Sequence, residues 1–227
     1  MARSIRFENR EEAARLLLKK LSSFQGRNPL ILGIPRGAMP MAKIIAEGLD
    51  GELGAILVHK IPTPGYEELA MGSVGLSGKL FRNAAVIRIY DVPEVLVQTA
   101  AAEQIKALKK KQSQYHLPMP NYHDRIVILV DDGIATGATV MGAIHEVREQ
   151  QPKKIIVATA AIAHDTAQKI QPLVDEIIAL TESDEFYAVS QFFQSFSQVT
   201  DEEVVEILRS FKESAKRQNS MKSSFLS

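Results

Sequence analysis

Cysteine is absent from the 227-residue chain, which excludes disulfides, thiolate chemistry and zinc held by sulfur. Net charge is absent too. Lys and Arg number 27 and so do Asp and Glu, so nothing draws the whole molecule to nucleic acid or to an anionic membrane. No apolar run approaches the length of a membrane span. The opening residues, MARSIRFENREEAARLL, put charges where a secretory leader needs its apolar core. The five histidines, His59, His116, His123, His145 and His164, show no ligand spacing such as HExxH, so no metal site built from protein side chains alone is expected. These absences describe a cytoplasmic protein with no nucleic-acid or membrane partner. Its length suits one sizeable α/β domain.

What is present centres on residues 125–139, RIVILVDDGIATGAT. An apolar run ends at Asp131 and Asp132, a small-residue loop follows, and a helical pattern begins. A buried strand running into a helix start offers unpaired backbone N–H groups and a partial positive charge, which suits a phosphate. The two acids repel phosphate and suit hydroxyls, a metal ion or a developing cation. Phosphate and diol recognition a few residues apart describe a sugar phosphate.

The rest of the chain supplies elements around this stretch. Helical spacing covers 9–21, with Ala14, Leu17, Leu18 and Leu21 on one face, and again 39–49. Short apolar strands are predicted at 30–32, 55–58, 155–160 and 176–180, with helices at 91–114, 139–151, 165–170 and 201–211. Lys106, Lys109, Lys110 and Lys111 read as one solvated helix face near a C-terminus, with contact to a polyanion as the alternative. Between 61 and 79 periodicity gives way to Pro62, Pro64, Gly65, Gly72, Gly75 and Gly78, the composition of a lid or binding loop. Extended pieces at 71–74 and 85–90 could pair within it. The run from Gly72 to Lys79 is no nucleotide P-loop, since five residues separate its glycines and Leu80 replaces the metal-binding hydroxyl.

Strands alternating with helices predict a doubly wound, five-stranded parallel sheet. Ligand then belongs beyond the carboxyl ends of the strands, at the switch point. A flavodoxin-like order would set Pro35-Arg36-Gly37 beside the loop after Asp131. One domain over 1–213 is expected, with a flexible lid loop at about 61–80, a small hood at about 181–200 and a polar tail over 214–227.

The run DDGIATGAT after its strand resembles the phosphoribosyl pyrophosphate (PRPP) motif of type I phosphoribosyltransferases. Gly33-Ile34-Pro35-Arg36-Gly37 resembles their pyrophosphate loop, His59-Lys60 with the following stretch their flexible catalytic loop, and Phe186-Tyr187 their hood aromatics. The whole pattern is similar to a bacterial phosphoribosyltransferase-like subgroup. The resemblance implies transfer of a phosphoribosyl group from Mg-PRPP to a nucleobase or similar nitrogen nucleophile, with Mg²⁺ carried by PRPP and touched at most by Asp131 and Asp132. By the same resemblance, Gly133, Ile134, Ala135, Thr136, Gly137 and Thr139 bind the 5-phosphate. Pro35, Arg36, Gly37 and Lys60 bind pyrophosphate, and Asp131, Asp132, Lys60 and Arg36 are the catalytic set. The acceptor would meet His164, Phe186 and Tyr187. Purine-salvage members carry a lysine where this chain reads Ala161-Ile162-Ala163-His164-Asp165, so the acceptor class stays open. Glu67 and Glu68 lie in the lid, and the sequence does not choose between them as base contacts.

A PRPP- or nucleotide-binding regulator without transfer activity is the alternative, and a phosphatase using the acid pair is a third. Asn in place of either acid is expected to cut PRPP binding or turnover and leave the fold intact. A homodimer is a further expectation by resemblance, with the apolar residues of the first helix as its candidate interface.

Overall fold

The structure is a computed structural model that describes residues 6–224, apart from the side chains of Glu68 and of 218–224. Five strands make the parallel sheet: β1 (Leu30–Gly33), β2 (Glu52–Ala55), β6 (Ile126–Asp131), β7 (Lys154–Ala163) and β8 (Glu176–Ser183). Their order, β2-β1-β6-β7-β8, is flavodoxin-like, with the switch between β1 and β6. In that parallel register Gly33 lies opposite Val130, and Ile34 donates its N–H to the Val130 carbonyl. The loops leaving β1 and β6 therefore start side by side.

Alternating side chains on these strands fill two cores, as a sheet covered on both faces requires. Ile31, Ile128, Val130, Ile156 and Ala158 pack under α1 (Arg10–Lys20) and α2 (Met39–Gly48). Leu32, Val127, Leu129, Ile155 and Val157 pack under α5 (Ala138–Arg148) and α6 (His164–Ile170). Helix α1 starts where Asn9 accepts the N–H of Glu12, a side-chain cap of a kind worth about 1 kcal/mol. Ala14, Leu17 and Leu21 of this region are fully buried in the chain's own core. They are not free to form the dimer interface that the sequence suggested.

The segment expected to be a patternless lid is ordered instead. β3 (Val58–Thr63), β4 (Tyr66–Gly75) and β5 (Leu80–Arg82) form a small antiparallel sheet. The prolines hid it: the β3–β4 register shifts at Ile61, Pro62 and Thr63, an irregularity that accommodates a residue with no N–H to give. The strand expected over 55–58 is in fact the junction where β2 ends and β3 begins. Residues 85–90, expected to be extended, fall mostly in α3 (Ala84–Ile89), opened by an Asn83 cap.

Long helix α4 (Glu94–Gln114) and α7 (Asp201–Ser224) close a third core with this sheet, through Ile61, Met71, Val74, Leu108, Tyr115 and Val204. The sheet is also fixed to α5. Buried Glu146 accepts the Ser77 N–H at 2.8 Å and the Ser77 hydroxyl at 2.5 Å. Helix α7 carries on through most of the predicted polar tail, to Ser224, while 225–227 lie outside the described residues.

Candidate active site

Strand β6 delivers Asp131 and Asp132 to the carboxyl edge of the sheet, and the two acids turn to different surroundings. Asp132 is buried against Arg10 of α1, whose Nε lies 2.8 Å and Nη2 2.7 Å from Asp132 Oδ2. The same guanidinium donates to the Ser197 carbonyl at 2.6 Å and stacks 3.9 Å from the Phe196 ring centroid. Asp131 is half-buried and has no cation beside it among the described residues. Burial first, and then the negative charge of Asp132, pushes its carboxyl well above the usual carboxylate range. The Gly133 and Asp132 N–H groups that donate to it oppose that shift.

The loop after the acids is pinned from below. Ile134 bridges to Ile162 of β7, giving its N–H to Ala161 and accepting from Ala163. Ile134 and Gly133 therefore use their own N–H groups inside the protein. Those of Ala135, Thr136 and Gly137 make no hydrogen bond among the described residues. The Thr166 hydroxyl donates to the Ala135 carbonyl, fixing the loop from α6. Gly137 caps α5 at φ 72°, and a Cβ there would sit 2.5 Å from the Thr166 methyl. Both the backbone angle and the contact require glycine. Past it, Ala138 and Thr139 open the helix with unpaired N–H groups of the first turn. The unpaired N–H groups therefore run from Ala135 to Thr139, while those of Gly133 and Ile134, also expected from the sequence to face a phosphate, are engaged within the protein.

Across the switch point, Pro35-Arg36-Gly37 leaves β1, with a cis peptide between Pro35 and Arg36. A Cβ on Gly37 would lie 2.2 Å from Asp132 Oδ2 and 3.1 Å from Arg10 Nη2, so glycine lets this loop rest on the Arg10–Asp132 pair. Arg36 is exposed, its carbonyl accepts the Met39 N–H, and its guanidinium makes no hydrogen bond or ion pair among the described residues. With Thr139, Pro35, His59, Lys111 and Tyr115 it lines a cavity of about 210 Å³.

Lys60 does not line that cavity. It is exposed on β3, where neighbouring side chains alternate, and His59 takes the inward position with Nδ1 2.9 Å from Gln104 Oε1. Of the candidate acceptor residues, His164 has both ring nitrogens engaged, Nδ1 with Glu182 and Nε2 with Gln168. Phe186 packs on Phe192, ring centroids 4.8 Å apart, as a satellite of the core. Tyr187 is 84% exposed. Glu67 is exposed on β4, and the Glu68 side chain lies outside the described residues.

Among the described residues no group of three or more His, Asp or Glu could hold a metal ion, and no helix is long and apolar enough to cross a membrane. Sequence reasoning missed Arg10. Arg10 carries no local signal, because its partner is 122 residues away.

A strand ending in two acids, a helix start with unpaired N–H groups and a facing arginine loop meet at the switch point of a doubly wound α/β sheet. The chain belongs to the phosphoribosyl transferase domain family, whose model matches residues 7–193. A Mycobacterium tuberculosis protein provisionally named as a phosphoribosyl transferase is 30% identical over 207 residues, covering 89% of this chain and 46% of that protein. The chain thus spans about half the length of the curated relatives it matches. The crystal structure of TT1426 from Thermus thermophilus superposes with a TM-score of 0.82 at 33% identity, over 91% of this chain and 99% of that one.

Proposed function

We propose that this domain transfers the phosphoribosyl group of Mg-PRPP to a nitrogen of a nucleobase or similar small nucleophile and releases pyrophosphate. One observation carries the reading. Unpaired N–H donors from Ala135 to Thr139 and the free guanidinium of Arg36 flank the strand end that bears Asp131. A ribose spanning the two would place its 5-phosphate on the former and its diphosphate toward the latter.

In this reading the acceptor nitrogen forms a bond to C1 as the C1–O bond breaks, and that electron pair leaves with pyrophosphate. The ring passes through an oxocarbenium-like state. The Asp131 carboxyl accepts hydrogen bonds from the ribose hydroxyls. Burial and Asp132 by themselves favour its protonated form, and the developing cation favours the carboxylate, whose charge then offsets it, a term of the kind that often dominates catalysis. Asp132 acts indirectly, holding the Gly37 backbone and α1 through Arg10. Arg36 neutralises the leaving group with its fork of donors.

The donor set also fits magnesium. One half-buried carboxylate with no protein cage suits an ion that keeps waters and prefers phosphate oxygens. Bound with PRPP, it would supply charge to the diphosphate, with Asp131 as the one acid free to approach it. In this reading the exposed Tyr187 ring meets a planar acceptor, and Phe186 holds the segment to the core.

PRPP binding without transfer is favoured by one observation, the absence of Lys60 from the cavity. Incubation with PRPP, Mg²⁺ and a panel of bases and amines, with pyrophosphate assayed, separates the two. Release that depends on an acceptor supports transfer. PRPP binding with no release for any acceptor supports the regulator.

A further inference from the structure

If Arg36 faces the diphosphate and Lys60 does not, the leaving group lacks a second protein cation, and the cavity supplies one. Of the four lysines near the end of α4, Lys106, Lys109 and Lys110 are exposed, while the Lys111 side chain is only 30% exposed. Leu108, Lys111 and Tyr115 are three and four residues apart, share one helix face and line the cavity with Arg36 and Thr139. Its volume leaves room for on the order of seven waters, ample for a hydrated diphosphate.

Lys111 is held in place there. Its Nζ lies 2.5 Å from Asp201 Oδ2 at the start of α7 and 5.1 Å from the Tyr115 ring centroid. The buried Tyr115 hydroxyl donates to the other oxygen of Asp201 at 2.5 Å. An ammonium has three donors, so this bracket fixes Lys111 while leaving donors over. Arg36 and Lys111 line the same cavity, which places the two cations around one space. Two cations lining one cavity repel each other and favour a polyanion between them.

We propose that Lys111, positioned by Asp201 and Tyr115, is the second cation of the diphosphate subsite, in the role the sequence suggested for Lys60. This rests on the PRPP reading of the crevice.

The test is calorimetric titration of the full chain with inorganic pyrophosphate, PRPP and ribose 5-phosphate, using wild type, Lys111→Met, Lys111→Arg and, as a neighbouring control, Lys110→Met. Lys111→Met is expected to weaken pyrophosphate and PRPP binding about tenfold or more, the scale of a lost charge-assisted contact. Ribose 5-phosphate binding should change less than twofold, Lys111→Arg should recover most of the loss, and Lys110→Met should match wild type. Arg in place of Lys keeps the charge, so its recovery separates a binding role from damage to the fold. Unchanged pyrophosphate affinity in a folded Lys111→Met protein overturns the proposal, as does an equal loss for ribose 5-phosphate. Lys111-dependent pyrophosphate binding without turnover on any acceptor sustains the subsite and overturns only the transfer reading. A wild-type protein that binds neither pyrophosphate nor PRPP overturns both.

Discussion

Arg10 and Asp132 form a buried ion pair, Nε and Nη2 both within 2.8 Å of one carboxylate oxygen, that ties the first helix to the end of the central strand. Removing the guanidinium leaves a buried charge unpaired, which in such settings costs about 3–5 kcal/mol. Arg10→Met should therefore lower unfolding stability by about that amount in urea titrations, with Asp132→Asn also destabilising. A double-mutant cycle should return a large coupling between the two positions. Additive losses would mean that the pair does not hold the site together.

Asp131 should behave in the opposite way. Its folded-state titration lies well above the unfolded value, so the folded chain holds that proton more tightly. The stabilising effect is complete below the ordinary carboxylate range and is lost as pH rises toward and through the raised value. Asp131→Asn should match or exceed wild-type melting temperature at pH 7, with the advantage vanishing as pH approaches 4. Turnover should fall roughly 10²-fold or more. Paired melting curves and initial rates check this, and a destabilised variant with full activity would refute it. The structure thus predicts that Asp131→Asn spares the fold and that Asp132→Asn destabilises it, where the sequence alone predicts that both spare it.

A second pH effect belongs to the small sheet. His145 of α5 stacks on Phe81 of β5 with ring centroids 3.6 Å apart, and burial lowers its titration while Glu149 partly offsets that. A histidine with a depressed folded value contributes stability fully above its unfolded value, near 6.5. That contribution is lost as pH falls from there through the lowered one. Lys79 with Glu149 and Ser77 with Glu146 share this contact surface. Amide protection in β4 and β5, with exchange rates corrected for their intrinsic pH dependence, should fall between about pH 6.5 and 5, and His145→Phe should flatten the response. Constant protection across that range would show that the stacking does not secure the sheet.

The parallel sheet was legible because β1, β6 and β7 are continuous apolar runs broken by turn residues, with the helices between them periodic. The antiparallel sheet was not, since Pro62, Pro64 and its glycines carry loop chemistry and only pairing between distant strands makes them extended. The site divides along the same line. Asp131, the loop to Thr139 and Arg36 announce themselves locally. Arg10 and Lys111 acquire their meaning from partners 122 and 90 positions away, and His59 rather than Lys60 faces inward only because β3 starts where it does.

The central claim is that one crevice holds PRPP with its 5-phosphate on the start of α5 and its diphosphate by Arg36. A crystal structure of the chain with Mg-PRPP tests it most directly. The account expects phosphate oxygens within hydrogen-bonding distance of the N–H groups from Ala135 to Thr139, the ribose hydroxyls at Asp131, and the diphosphate between Arg36 and Lys111. PRPP bound elsewhere, or a diphosphate turned away from Arg36, would contradict it.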